Sequence, residues 1–216
     1  MSTLPYLTGI QQAGIGVADL EVSWKWYRRV FGMNVPVFDD TGVAELMTRY
    51  TAGIPQKRRA VLALNMAGGG GFEIWQYLDK LPKPPSSPPK LGDLGLNALK
   101  IKSRNVPAFH ESLAAKGIAA GTLQEDPLAE RTFWMKDPWG NSFQLVQGQS
   151  WFSEEPMAVG GICGAVVGYS IWTRPSNSTP RFWVFVKWFT TEAGPSQTCP
   201  NRARSEGFCY GKSPNM

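Results

Sequence analysis

The chain has 216 residues, 43% of them hydrophobic and 18% charged, a globular composition long enough to bury a core as one domain or two small modules. Its net charge of +5 is only mildly basic, and the densest basic run, Lys57, Arg58 and Arg59, has no interleaved aromatics. That run reads as a solvated loop face, so no nucleic-acid partner is expected. The opening MSTLPYLTGIQQAG lacks a basic, then apolar, leader pattern, and the apolar run 158–168 is too short to span a bilayer. A cytoplasmic protein without a membrane partner is expected. Cys163, Cys199 and Cys209 are too widely spaced to suggest a metal knuckle.

In chain order, residues 10–17 alternate as a strand, with Ala13, Ile15 and Val17 on one side and Gln12, Gly14 and Gly16 on the other. Asp19 is placed to cap a helix on which Leu20, Trp24, Tyr27 and Phe31 recur at helical spacing, and Gly32 ends it. Trp24, Trp26 and Tyr27 read as core or helix surface. Two extended runs follow, 35–38 and 43–48, then strands at 60–65 and 72–77. Gly68–Gly71 precedes a strand, so it reads as a flexible hairpin, not a phosphate cradle.

The segment LPKPPSSPPKLGDLG is a stiff, extended linker. A strand at 96–102 comes next, then a helix with Val106, Phe109 and Leu113 inward, closed by Gly117. Its single histidine, His110, reads as solvent-exposed on the outside of a sheet. The unit closes with a hairpin whose strands, 132–136 and 142–146, flank the turn Asp137-Pro138-Trp139-Gly140-Asn141. Alternation puts Ser142, Gln144 and Val146 on one face and Phe143 and Leu145 on the other. Strand, helix and three strands therefore occur twice, a repetition that means paired modules. The organisation expected is module 1 over 1–80, a Pro-rich linker over 81–94 and module 2 over 95–150. The start of a third module spans 151–168, and an irregular tail spans 169–216.

The two βαβββ units, the Asp-Leu helix start, the aromatic before Gly (Phe31, Gly32) and the DPWGN turn before a final strand resemble the vicinal oxygen chelate superfamily. That superfamily includes glyoxalase I, bleomycin resistance proteins and extradiol dioxygenases. The resemblance covers residues 8–150 and implies an α+β fold, paired βαβββ modules forming a curved, cup-shaped mixed sheet. It also implies a divalent metal held by the first and last strands of each module. Position by position, the ligands fall on Gln12, Glu73, Ala98 (where a His is usual) and Gln144. Ala98 cannot bind a metal, and Gln144 offers a neutral carbonyl. Gln12, Glu73 and Gln144 are at most a weak set for Mg²⁺ or Mn²⁺ and a poor one for Zn²⁺. No tightly held cofactor is expected.

Glu73 is the one carboxylate on the expected cup face and so the candidate catalytic residue; without a second base, a two-base isomerase mechanism is incomplete. Gln12, Trp75, Tyr77, Lys100 and Gln144 are the candidate ligand-binding residues. Trp75 and Tyr77 offer stacking surface and a phenol, and Lys100 offers a point charge to a carboxylate or phosphate. Lys102 reads as snorkelling to the rim. Phe72, Ile74, Leu99, Phe143 and Leu145 are expected on the opposite, helix-packed face. The function implied is a glyoxalase- or dioxygenase-like protein that binds or transforms a small oxygenated or aromatic metabolite in the cup between modules. Lyase or dioxygenase activity is implied by resemblance only. The alternatives are a metal-free, bleomycin-resistance-like binding protein and a non-catalytic half of a four-module enzyme.

Ile162, Ala165, Val167 and Gly168 echo Ile10, Ala13, Ile15 and Gly16, but the pattern stops at Tyr169. The tail is expected to be read in a shifted frame. Joining the last base of each codon to the first two of the next, Trp172 with Thr173 forces Asp, Phe182 with Trp183 forces Leu, and Trp183 with Val184 forces Gly. A permitted reading, DMDKAIQFYSTVLGF, matches Asp19, Tyr27 and Gly32 at identical spacing. The intact relative then holds a complete third module, this chain is truncated relative to it, and a homodimer through the unpaired third module is expected. Sequencing the coding DNA checks this: an unbroken alternative frame past residue 168 is expected, and scattered stop codons in that frame would end the idea.

Overall fold

The structure, a computed structural model, describes residues 10–168 with their side chains and the backbone of 169–170 and 184–188. Module 1 comprises β1 (Gln12–Gly16), α1 (Leu20–Phe31), β2 (Val35–Val43), β3 (Lys57–Asn65) and β4 (Gly70–Tyr77). Module 2 comprises β5 (Gly95–Ser103), α2 (Val106–Ala115), β6 (Gln124–Glu125), β7 (Arg131–Lys136) and β8 (Ser142–Gln147). β9 (Val159–Ser170) and β10 (Val184–Trp188) follow. The sheet orders are β1-β4-β3-β2 and β10-β9-β5-β8-β7-β6. In each module the first and last strands pair in parallel, β1 with β4 and β5 with β8, and the remaining pairs are antiparallel. The expected paired, mixed-sheet α+β fold is thus present.

The helices form where the capping chemistry is placed. Asp19 accepts from the Val22 amide and Asn105 from the Ala108 amide, each satisfying a first-turn N–H that has no partner within the helix. Gly32 ends α1 at φ +64°, a left-handed conformation that glycine adopts without a Cβ clash. The apolar stripe of α1 buries Leu20, Tyr27, Val30 and Phe31, whereas Trp24 stays half-buried with its indole N–H donating to the Met33 carbonyl.

Two extended runs were expected between α1 and β3, and only the first is a strand. β2 carries on through Asp39, Asp40 and Thr41 because its backbone stays paired with β3 and Asp39 meets Arg59. Of the run expected as a second strand, Val43 ends β2 and 45–48 lie in a 3-10 turn, Glu45–Tyr50, where Leu46 is 96% exposed, so no buried face holds an alternating register. The basic run at 57–59 is not a loop; it opens β3, and Arg59 bridges Asp39 and Glu21 at 2.6 and 2.7 Å. β9 pairs antiparallel with the free edge of β5 and continues two residues past Gly168, where the sequence pattern stops; Val184 of β10 pairs with Ser170. The remainder of the tail, and most of the frame-shift reading, lie outside the described residues.

The modules share one core. From α1, Tyr27 and Phe31 pack against Phe72 of β4 and Phe143 of β8, with ring centroids 4.9–6.4 Å apart. At its centre the Tyr27 hydroxyl donates to Asp137 Oδ2 at 2.5 Å, joining the first helix to the turn between β7 and β8. Burial first, then the neighbouring Asp137 charge, pushes the Tyr27 phenol far above its ordinary range, so it stays a donor. Tyr27→Phe is expected to cost about 2 kcal/mol, the range for a hydrogen bond to a charged group. Urea unfolding should show this as a lowered midpoint with an unchanged slope.

Candidate functional site

The open face of the first sheet gathers Gln12 from β1 with Glu73, Trp75 and Tyr77 from β4, since alternate residues share a face. Gln12 donates from its side-chain amide to Glu73 Oε2 at 2.9 Å. The Trp75 indole packs beside Gly14 and Gly16, the two positions of β1 that leave room for it on this face. Trp75 and Tyr77 meet edge to face at 5.0 Å. All four are partly exposed and form a shallow aromatic half-cup with a carboxylate at one end.

Sequence reasoning missed Arg58. Its Cα pairs with Tyr77 across β3 and β4, so the guanidinium shares this face, and its Nη1 is buried without a hydrogen-bond partner. The alternation of Ala60 and Leu62, run two residues backward, would have found it. Reading the basic run as loop hid it.

In the second sheet Lys100 pairs with Gln144, and Gln144 with Trp134, on the face opposite Phe143 and Leu145. Lys100 and Gln144 are 2% and 1% exposed. Gln144 donates to Thr132 Oγ1 at 3.0 Å, while its Oε1 has no hydrogen-bond partner. Lys102 does not snorkel to the rim. It is 6% exposed, and its ammonium donates to the Ser150 carbonyl at 2.7 Å and lies 5.4 Å from the Trp151 ring. His110 is half-buried, not exposed; it packs edge-on against Phe133, and its Nε2–H donates to the Gly121 carbonyl at 2.8 Å.

The register expected from alternation holds: Phe72, Ile74, Leu99, Phe143 and Leu145 all lie in the shared core. That register also separates the two candidate sets. The Phe72 and Phe143 rings are 5.9 Å apart across the core, so Glu73 and Gln144, one residue along each strand, leave their sheets on far sides. Among the described residues no hydrogen bond or ion pair joins the Gln12–Glu73 pair to Lys100 or Gln144.

The side chains present do not fit a divalent metal. Ala98 is buried and has no donor, and the ammonium of Lys100 lies on the strand beside Gln144, where a cation would be repelled. Among the described residues no group of three His, Cys, Asp or Glu side chains could hold an ion.

Burial pushes the Lys100 amine down from 10.5 to about 8, with Cys163 and Asp126 acting in the opposite direction. Because the folded value lies below the unfolded one, the unfolded chain holds more protons between pH 8 and 10.5. The cost of burying the ammonium is present in full below pH 8 and is relieved as pH rises through that window. This group alone should therefore raise stability by on the order of 3 kcal/mol across it. Urea unfolding at pH 7.5 and 10 should show the rise in the parent chain and its loss in Lys100→Met.

Comparison with known proteins matches the Glyoxalase/Bleomycin resistance protein/Dioxygenase superfamily model to residues 9–145, more than half of the chain. A glyoxalase family protein from Bacillus cereus superposes with a TM-score of 0.54 at 12% identity, over 69% of this chain and 100% of that one. Lactoylglutathione lyase from Agrobacterium tumefaciens gives 0.44 at 18% identity, over 66% and 96%. TioX from Micromonospora sp. ML1 gives 0.43 at 15% identity, over 65% and 99%. A comparison with curated protein sequences gives no match. With two βαβββ modules, parallel first and last strands in each, and the matched span covering both, the chain belongs to the glyoxalase/bleomycin resistance protein/dioxygenase superfamily.

Proposed function

We propose that the protein binds a small oxygenated aromatic molecule without a metal, on the open face of the first sheet. The observation that carries this reading is the buried, unpartnered Nη1 of Arg58 beside Tyr77, on the face that also presents Trp75 and the Gln12–Glu73 pair. A buried guanidinium N–H without an acceptor is costly, and an anionic or carbonyl oxygen of a ligand satisfies it. Trp75 and Tyr77 supply stacking surface, and the Gln12–Glu73 pair offers both donors and acceptors to a hydroxyl. Among the described residues Glu73 is hydrogen-bonded by Gln12 and belongs to no cluster of three His, Cys, Asp or Glu side chains, so the arrangement favours binding over proton-shuttling lyase or dioxygenase chemistry.

The test is titration of metal-stripped protein with small aromatic carboxylates and phenols, followed by tryptophan fluorescence. Saturable binding is expected, weakened about tenfold in Arg58→Gln, the equivalent of losing one charge-assisted hydrogen bond. Added Mg²⁺ or Mn²⁺ should change nothing. Elemental analysis after mild dialysis is the decisive counter-test. One equivalent of a divalent metal that survives dialysis and is lost in Glu73→Ala would overturn the metal-free reading.

A further inference from the structure

A second concavity lies away from the Arg58 half-cup, around the outer side of β7. It is a cleft of 1140 Å³, somewhat larger than the roughly 300–1,000 Å³ typical of small-ligand sites. Trp26 and Trp134 line it, together with Pro89, Pro138, Leu91 and Ile118, so apolar groups make up the larger part of a wall that Asn97, Gln124 and Ser142 also share. Two cations, Lys90 and Lys136, also line it, and neither is in an ion pair among the described residues.

The cleft is built from fixed parts. Gly121 donates its N–H to the Trp134 carbonyl at 2.7 Å and accepts from His110, which pins the segment after α2 against β7. A Cβ at Gly121 would stand 3.0 Å from that carbonyl oxygen, so a side chain there would have to push the strand back by a few tenths of an ångström. Lys90 sits in a turn closed by Asp93, whose carboxylate accepts the Lys90 amide at 2.8 Å; Asn97 of β5 accepts the Gly92 amide at 2.6 Å. Trp26 is held by edge-to-face contacts with Tyr27, Phe31 and Trp139. Asp137 lies in the wall, but its carboxylate already accepts from Tyr27, the Trp139 amide, and the Asn141 amide and side chain. With Lys90 and Lys136 against this one carboxylate, the lining is net positive.

We infer that this cleft is a second binding site, for a flat apolar small molecule bearing a carboxylate or sulfonate. The indole rings and prolines take the planar body, and Lys90 and Lys136 take the anionic end as point charges. The site needs nothing from Arg58, Glu73 or Trp75, so it stands or falls apart from the half-cup reading.

The experiment uses the full chain and two fluorescent probes, the aromatic sulfonate 8-anilinonaphthalene-1-sulfonate and the neutral N-phenyl-1-naphthylamine. In Lys90→Gln/Lys136→Gln, both exposed positions whose replacement leaves the core intact, sulfonate binding should weaken about tenfold. Neutral-probe binding should stay within about twofold. Ser142→Asp, which places a carboxylate in the lining, should weaken the sulfonate and spare the neutral probe. Probe binding lost in Arg58→Gln or Trp75→Ala belongs to the half-cup; the share of sulfonate binding that depends on Lys90 and Lys136 should persist in both variants. Sulfonate binding that ignores both lysines and Ser142→Asp, or that is lost in Arg58→Gln or Trp75→Ala instead, overturns the inference.

Discussion

The contact between Tyr27 and Asp137 sets the geometry of the molecule. A phenol on the first helix of module 1 reaches a carboxylate in the last turn of module 2, 110 residues away in sequence. Around it Phe31, Phe72, Phe143, Trp26 and Trp139 interlock at ring separations of about 5–6 Å. Such pairs contribute roughly 0.5–1.5 kcal/mol each beyond the area they bury. Together with the hydrogen bond they fix the apolar faces of the two sheets against a common core. Asp137 also organises its own turn, accepting from Trp139 and Asn141, so one carboxylate shapes the hairpin and joins the modules.

Facing the apolar sides inward turns the polar sides outward, and this decides the chemistry. Each sheet presents its own face, with the carboxylates of Glu73 and Asp40 and the Arg58 guanidinium on the first, and the buried ammoniums of Lys100 and Lys102 beside the Gln144 amide on the second. Neither set holds the nitrogen and carboxylate donors from which a tight divalent site is made. What the faces do offer is aromatic surface, fixed donors and positive charge.

The sheet edges are managed differently in the two modules. β5 is covered by β9, whose start is held where the Trp151 ring lies under the Arg104 guanidinium at 4.0 Å. Among the described residues β2 is an edge, and it carries Pro36, a register irregularity after it, and the Asp39–Arg59 ion pair. Proline and charge at a strand edge discourage unwanted pairing. β9 thus behaves as an added strand at the edge of module 2.

The elements were legible wherever local chemistry is sufficient to specify them. The cap at Asp19, the turn glycine Gly32, the turn at 137–141 and the period-2 alternation of β4, β5 and β8 are all statements about neighbouring residues, whereas the Asn105 cap was not read. From these follow the repeat, the fold class and the division of side chains between core and open face. Where alternation was weak, as at 43–48, or where a charge run masked it, as at Arg58, the reading failed. Lys102 and His110 were misplaced because their burial comes from Ser150, Trp151, Phe133 and Gly121, which touch them through the fold and not through sequence spacing. The direction in which each module faces was not legible at all. That depends on Tyr27 meeting Asp137 and Phe72 meeting Phe143, contacts between residues far apart along the chain. Local periodicity fixes which side of a strand a residue occupies, but only packing between modules decides which sides share a space.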